Sequence, residues 1–138
     1  MRHTWYPALL ALLASSHEAV AHHSIARVYD SSHRSSVIGT VAEFRFINPH
    51  PLLIVEVVTD AESGATEAWQ LEMDNRFELE RIGMTADTFA PGDRIVAEGS
   101  LGLTQPNTLY LRRLERPADG LRYEQVGYNP RLDTGNSQ

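Results

Sequence analysis

Short apolar segments separated by turn-forming residues dominate the chain beyond its first 36 residues. The first segment is rich in β-branched and aromatic residues, and Gly, Pro, Asn or Asp lie in the connections between segments, which is typical of β-strands. The alternation is clearest where Trp69, Leu71 and Met73 fall on one side of an extended chain and polar residues separate them. The pattern predicts five strands, over residues 37–47, 52–59, 67–73, 94–100 and 108–115.

The interruptions between these segments predict one short helix and several turns. Asp74 or Asn75 is a suitable N-cap for a helix that runs to Ile82, and Gly83 is a typical residue to end it. Proline has no N–H to donate to a neighbouring strand. The segment Asn48-Pro49-His50-Pro51 therefore separates the first strand from the second.

The order of these elements indicates the fold. Three strands, then a helix, then two further strands is the order of elements in a five-stranded Greek-key OB barrel. Gly39 in the first strand indicates the bend or bulge that a tightly curved sheet requires. We therefore expect a mainly β domain over residues 37–116, a small five-stranded OB-like Greek-key barrel with one short helix between strands 3 and 4. A small open β-sandwich with a surface helix is the alternative.

The two ends of the chain differ in composition from this domain. Arg2 and His3 precede an apolar run over residues 5–14, and a polar stretch then leads to Ala19-Val20-Ala21. This order is typical of a cleavable secretory signal, and the run is half of the roughly 20 residues needed to span a membrane. We expect a periplasmic or secreted protein with no membrane span after processing. Its predicted segments are a signal peptide over 1–21, an extended N-terminal segment over 22–36 and a flexible C-terminal tail over 117–138.

Composition narrows the possible chemistry. The chain has no Cys, which excludes disulfides, thiolate metal sites, iron–sulfur clusters and cysteine nucleophiles. Its 12 basic residues are all Arg and stand against 18 acidic residues, so the formal charge is −6. A protein that follows a phosphate backbone needs a basic stripe, which this sequence lacks. We expect a monomer that binds no nucleic acid.

The histidines carry the main candidate chemistry, a transition-metal site. Cleavage after Ala21 would expose His22, whose α-amine and ring Nδ1 together form a chelate that suits Cu(II). His50 is a credible further nitrogen donor because the flanking prolines restrain its backbone, and His23 or His33 would assist. Copper is therefore the candidate cofactor. In the competing interpretation His22 and His23 form a solvated terminus, and His50 donates a hydrogen bond to a strand-end carbonyl.

Aromatic and Arg residues on the strands support a different hypothesis. Aromatic rings and guanidinium groups on one barrel face can form a surface on which a small molecule or a peptide stacks. In this interpretation the protein is an interaction domain for an envelope protein or peptide and needs no metal. The competing interpretation is that the aromatic residues belong to the core. The candidate ligand-binding residues are Phe46, Asn48, Trp69, Tyr110 and Arg112.

No motif in the sequence indicates catalysis. His17-Glu18 followed by His22 is one residue too long for the H-E-x-x-H helix motif, and Gly99-Ser100-Leu101-Gly102 is not a G-x-S-x-G nucleophile motif. The spacing of the carboxylates, among them Glu72 and Asp74, marks no acid–base pair. We expect a non-enzymatic binding module. A copper-dependent oxidase would use the same histidines but would need an open substrate surface.

Several motifs resemble those of a family of small exported bacterial proteins of unknown function. They are Ala21-His22-His23-Ser24, Gly39-Thr40-Val41, Asn48-Pro49-His50, and Pro91-Gly92-Asp93 with Glu98-Gly99. The resemblance covers residues 21–120 and implies a periplasmic β-barrel, with no established activity, substrate or catalytic residue. The chain departs from the family pattern at Pro51, which bears on the orientation of His50, and in a longer tail beyond Gly120.

Overall fold

The computed structural model describes residues 25–127 and 129–135 and is mainly β. The predicted signal peptide and the candidate ligands His22 and His23 lie outside the described residues. The seven strands are β1 (Tyr29–Arg45), β2 (Leu52–Asp60), β3 (Ala65–Glu72), β4 (Arg94–Gly102), β5 (Thr108–Arg116), β6 (Leu121–Val126) and β7 (Asn129–Asp133), and the helix α1 (Arg76–Arg81) lies between β3 and β4. The mainly β class predicted from the sequence is confirmed.

The strands form one sheet in the order β3-β2-β1-β4-β5-β6-β7, with neighbours antiparallel. A further, parallel pairing joins β3 to β5 through Gln70–Thr108, Leu71–Leu109 and Glu72–Tyr110. The pairings of β1 to β5 therefore form a closed cycle. β3 pairs with the first residues of β5. β6 pairs with the last four residues of β5, Arg113–Arg116, so that β6 and β7 extend the sheet beyond this cycle.

β1 is long enough to belong to both sides of the cycle. Residues 34–40 pair with β4, and residues 40–45 pair with β2. Gly39 lies at this change of partner, where a Cβ atom would stand only 2.5 Å from the carbonyl oxygen of Glu56. Glycine therefore permits the close approach of the two strands. The irregularity in the β1–β2 register lies slightly later than Gly39, between Val41 and Glu43.

The core lies between these strands and α1. Asn75 caps the helix by accepting a hydrogen bond from the backbone N–H of Phe77, and Leu79 is fully buried against the core. Phe77 is 63% exposed, because Leu79 is the helix residue that faces inward. Strands β1 to β6 and the residue after β3 supply further core side chains, which include Val41, Leu53, Val55, Leu71, Met73, Ile95, Leu109, Leu111, Leu114 and Tyr123.

The structure corrects the prediction for both ends of the domain. β1 begins at Tyr29, inside the segment predicted as an extended lead-in, and residues predicted as a flexible tail form β6 and β7. β6 is ordered because Leu121, Tyr123 and Gln125 are buried while the residues between them face outward. This period of two is the signal of a half-buried strand, although the surrounding Gly and Pro residues favour a tail.

Within the described part of the chain, none of the helices has the length and apolar character needed to cross a membrane.

Candidate functional site

A cavity of about 140 Å³ lies where the start of β1 meets the ends of β3 and β4, the first half of β5 and the end of β6. Residues 25–28, which are helical, lead directly into this region from the N-terminal side. The lining combines aromatic, charged and hydroxyl side chains with backbone. The lining residues are Ile25, Ala26, Tyr29, Ser31, Asp74, Ser100, Tyr110, Arg112 and Gly127.

Three polar side chains connect this cavity to the Asn-Pro-His loop. The hydroxyl of Tyr29 donates a hydrogen bond of 2.5 Å to Oε2 of Glu72. The other carboxylate oxygen of Glu72, Oε1, lies 3.7 Å from Nδ1 of His50. Burial raises the pKa of Tyr29 above its ordinary value, and the hydrogen bond with Glu72 raises it further. Tyr29 therefore remains a protonated donor to Glu72 at neutral pH.

The hydrogen bond of His50 fixes which ring nitrogen carries the proton. Nδ1 of His50 lies 3.0 Å from the backbone carbonyl oxygen of Met73, just after β3 ends. Because a carbonyl can only accept, Nδ1 must be the protonated donor. In the neutral ring, Nε2 then keeps its lone pair and is the nitrogen able to bind a metal. This is the strand-end hydrogen bond expected under the competing interpretation, and it is equally the arrangement that a metal-binding histidine uses.

The backbone on either side of His50 is held against the connection between β3 and α1. The backbone N–H of Met73 donates to the carbonyl of Pro51 at 2.9 Å, and the N–H of Arg76 donates to the carbonyl of Pro49 at 3.0 Å. The Asn48–Pro49 peptide bond is cis. His50 is thus attached to the same short segment by its ring and by both neighbouring prolines, and its side chain is only 17% exposed.

A second polar group lies on the β6 side of the cavity. Oδ2 of Asp74, which is 9% exposed, accepts a 2.6 Å hydrogen bond from the side-chain amide of Gln125. The amide oxygen of Gln125 accepts a 2.8 Å hydrogen bond from the Tyr123 hydroxyl. Oδ1 of Asp74 accepts from the backbone N–H of Asn75 at 2.7 Å. β6 therefore fixes the orientation of a carboxylate that belongs to the end of β3.

Tyr110 and Arg112 form the third part of the lining. The Tyr110 ring lies 5.6 Å from that of Tyr29, measured between centroids, and the Arg112 guanidinium lies 4.8 Å from the Tyr110 centroid. Burial is the main cause that raises the pKa of Tyr110; the charge of Asp74 adds to it and that of Arg112 opposes it. The site therefore has a neutral, aromatic centre with charged groups at its margin.

The remaining histidine candidate, His33, has a different environment. Its Nδ1 lies 3.0 Å from Oδ2 of Asp30 and 2.8 Å from the Ser32 hydroxyl, and its side chain is 80% exposed. Hydrogen bonds from Ser32, then the hydrogen bond with His33, lower the pKa of Asp30 to about 2. Within residues 25–127 and 129–135, no group of three or more His, Asp or Glu side chains could hold a metal ion. A metal site at His50 would therefore need further donors from outside these residues.

The predicted ligand-binding residues lie in different surroundings. Tyr110 and Arg112 line the cavity described above. Phe46 instead packs near the ring of Phe44. The Arg76 guanidinium lies over the Phe46 ring, 5.3 Å from the ring centroid. Trp69 lines a separate depression beside residues 106–108, and Asn48 is exposed. Tyr110 is only 3% exposed and Phe46 is partly buried against the core.

A comparison with protein families identifies the relatives of the chain. The model of a family of unknown function (DUF6152) matches residues 10–103. The chain belongs to this family. The matched range includes β1 to β4, the Asn-Pro-His loop and Glu72, and it ends before β5 begins. A comparison with curated proteins finds no match.

Several residues of the site in this DUF6152 protein were not predicted from the sequence. Tyr29 and Gln125 fall in segments predicted as a lead-in and a tail, and Glu72 and Asp74 have no diagnostic spacing. They meet because β3 pairs in parallel with β5, which carries β6 on the same edge. The alternation of this strand places Glu72 and Asp74 on the side opposite Leu71 and Met73, so the pattern does not predict their role in the site.

Proposed function

We propose that the protein is a periplasmic, non-enzymatic module that binds Cu(II) through His22 and His50. In this proposal His22 supplies its α-amine and ring nitrogen after removal of residues 1–21, and His23 assists. Three nitrogens in a plane are a ligand set that Cu(II) favours. The single observation that supports the proposal most is the hydrogen bond from Nδ1 of His50 to the Met73 carbonyl, which leaves the lone pair of Nε2 free to bind a metal ion.

The surroundings of His50 favour a bound cation. Glu72 brings a negative charge to within 3.7 Å of the ring, and its other oxygen is held by Tyr29. The negative charge of this carboxylate would attract a cation bound at the ring. Because the loop backbone is also fixed, His50 would lose little conformational entropy when a metal binds.

The N-terminal segment reaches the same region. Ile25 and Ala26 line the cavity beside Tyr29, and Tyr29 contacts the Glu72 carboxylate that faces His50. Three residue steps separate His22 from Ile25, and an extended chain covers at most about 3.6 Å in each step. His22 is therefore tethered within about 11 Å of a residue in the cavity wall.

The proposed architecture for this module is an OB-like barrel. The closed cycle of pairings among β1 to β5, and the position of α1 between β3 and β4, support it. Export is likewise a proposal and is supported by the order of polar, apolar and Ala-x-Ala segments at the N-terminus.

Titration of Cu(II) into correctly processed protein, followed by electron paramagnetic resonance, tests the metal site. We expect a tetragonal spectrum with nitrogen couplings. We also expect His22→Ala and His50→Ala to weaken binding by more than about 100-fold, the upper range for changes that only disturb a ligand's hydrogen-bond partner.

His33→Ala is the matched control, because it removes an imidazole that already contacts Asp30 and Ser32. It should leave the copper affinity unchanged. Wild-type affinity in both the His22 and His50 variants would refute the proposal. A partner from periplasmic extract that binds regardless of chelators would then favour the envelope interaction domain.

A further inference from the structure

Two charged side chains in the cavity wall lack counterions among the residues that the structure describes. Arg112 forms no ion pair or hydrogen bond with these residues, and its guanidinium lies over the Tyr110 ring. Asp74 is 9% exposed, and both of its described partners, Gln125 and the Asn75 backbone, are neutral. The two groups line one cavity without forming a salt bridge of 4 Å or less with each other.

Asp74 is buried, whereas Arg112 is only partly buried. A charged group removed from water is normally paired with an opposite charge, so the lack of a charged partner for Asp74 among the described residues is unusual. The other cationic side chain on this stretch of β5, Arg113, does have acidic partners, Glu98 and Glu124. Asp74 and Arg112 thus present opposite charges to a shared space and leave both open to a ligand. Tyr29 and Tyr110 also line this space, and aromatic rings attract organic cations.

We propose that this cavity binds a small zwitterion of the α-amino acid class. The ligand carboxylate accepts hydrogen bonds from the Arg112 guanidinium, for which a planar carboxylate is the natural partner. The ligand ammonium group lies toward Asp74 and the tyrosine rings. A zwitterion supplies both missing counterions at once, whereas a simple anion or cation supplies one.

The size of the cavity limits the ligand. A volume of about 140 Å³ corresponds to the space of about five water molecules. Glycine and alanine are of this size, while an amino acid with an aromatic or long side chain would have to extend out of the cavity. We therefore expect affinity for the smallest amino acids and a decline as the side chain grows.

Calorimetric titration of protein purified from cells that express the full chain tests this inference. The protein is first freed of metal with a chelator, since amino acids themselves bind copper. The probes are glycine, alanine, acetate, methylammonium and tryptophan. We expect glycine or alanine to bind at least tenfold more tightly than acetate, methylammonium or tryptophan. Equal binding of acetate, or no binding by any probe, would overturn the proposal.

Arg112→Gln should weaken glycine binding by about 10- to 100-fold, the loss expected for hydrogen bonds to a charged group. Arg113→Gln is the matched control, because it removes the same charge from the next residue of β5 and should leave the affinity unchanged. Circular dichroism checks that both variants fold, and the selectivity among probes stands without either of them. Unchanged glycine affinity in folded Arg112→Gln would contradict the proposal. His50→Gln should still bind glycine, so this result is independent of the copper site.

Discussion

At the residue scale, the stability of the folded state depends on three tyrosines on and beside the cavity remaining protonated and neutral. Tyr29 and Tyr123 each donate a hydrogen bond from the hydroxyl, to Glu72 and Gln125 respectively, and Tyr110 is only 3% exposed. Burial is the largest cause that raises the pKa of each of the three. The folded state therefore holds these protons at a pH where the unfolded chain, with an ordinary tyrosine pKa of about 10, releases them.

This difference predicts alkaline unfolding. Below about pH 10 both states are protonated and the contribution of each tyrosine to stability is fully present. Above that pH the unfolded state binds fewer protons, so each raised tyrosine lowers the free energy of unfolding by about 1.4 kcal/mol per pH unit until its folded-state pKa is reached. Urea unfolding between pH 8 and 11 measures the slope, and absorbance at 295 nm follows ionisation.

Tyr123→Phe gives the internal comparison. It removes one ionisable group and one hydrogen bond, so the variant should be about 1 kcal/mol less stable at pH 7, yet lose stability less steeply above pH 10. Ionisation of all tyrosines near pH 10 with an unchanged circular dichroism spectrum would contradict the expectation.

At the residue scale the sequence predicted some of this site. His50, Tyr110 and Arg112 are recognisable because a proline-framed histidine and an aromatic–Arg pair are unusual locally. Glu72 and Asp74 are not, since a carboxylate beside a strand end is usually solvated and only its partners reveal its role. Those partners, Tyr29 and Gln125, are 43 and 51 residues away along the chain.

At the scale of elements, β6 shows where sequence patterns fail. The last four predicted strands and the helix lie close to β2 to β5 and α1 because their alternation or their caps are strong, whereas β1 begins before its predicted start. Residues 121–126 alternate equally well, but charged residues follow Leu121 and Tyr123, and glycines lie on both sides of the segment. Composition therefore favoured a tail, while burial of Leu121 and Tyr123 against the core makes the segment a strand.

Truncation distinguishes a tail from a structural strand. A chain that ends at Gly120 loses Leu121 and Tyr123 from the core and leaves Asp74 without Gln125. Each large buried side chain contributes about 1.5–3 kcal/mol, so we expect a loss of at least about 3 kcal/mol in the free energy of unfolding. Urea denaturation measures it. Removal of residues 136–138 alone is the control and should change little; equal stability of the two truncated chains would show that β6 is dispensable.

At the scale of the whole molecule, the closed cycle of strand pairings brings distant parts of the sequence to one place. The start of β1, the end of β3 and the end of β6 meet because β5 pairs with β3, β4 and β6 together. The N-terminal segment enters beside the same cavity, through Ile25 and Ala26. Tyr29, in the wall of this cavity, contacts Glu72, whose other carboxylate oxygen lies near His50.

This geometry makes the proposed copper site dependent on processing of the precursor. An α-amine has a pKa near 8 and yields its proton to a metal at neutral pH, whereas the amide that precedes His22 in the uncut chain is no such donor. We expect intact-mass measurement of exported protein to give a chain that begins at His22. Replacing Ala19 and Ala21 with Leu should block cleavage and weaken Cu(II) binding at least tenfold relative to processed protein in the same detergent. Both forms contain the same histidines, so equal affinity would show that the free terminus contributes nothing.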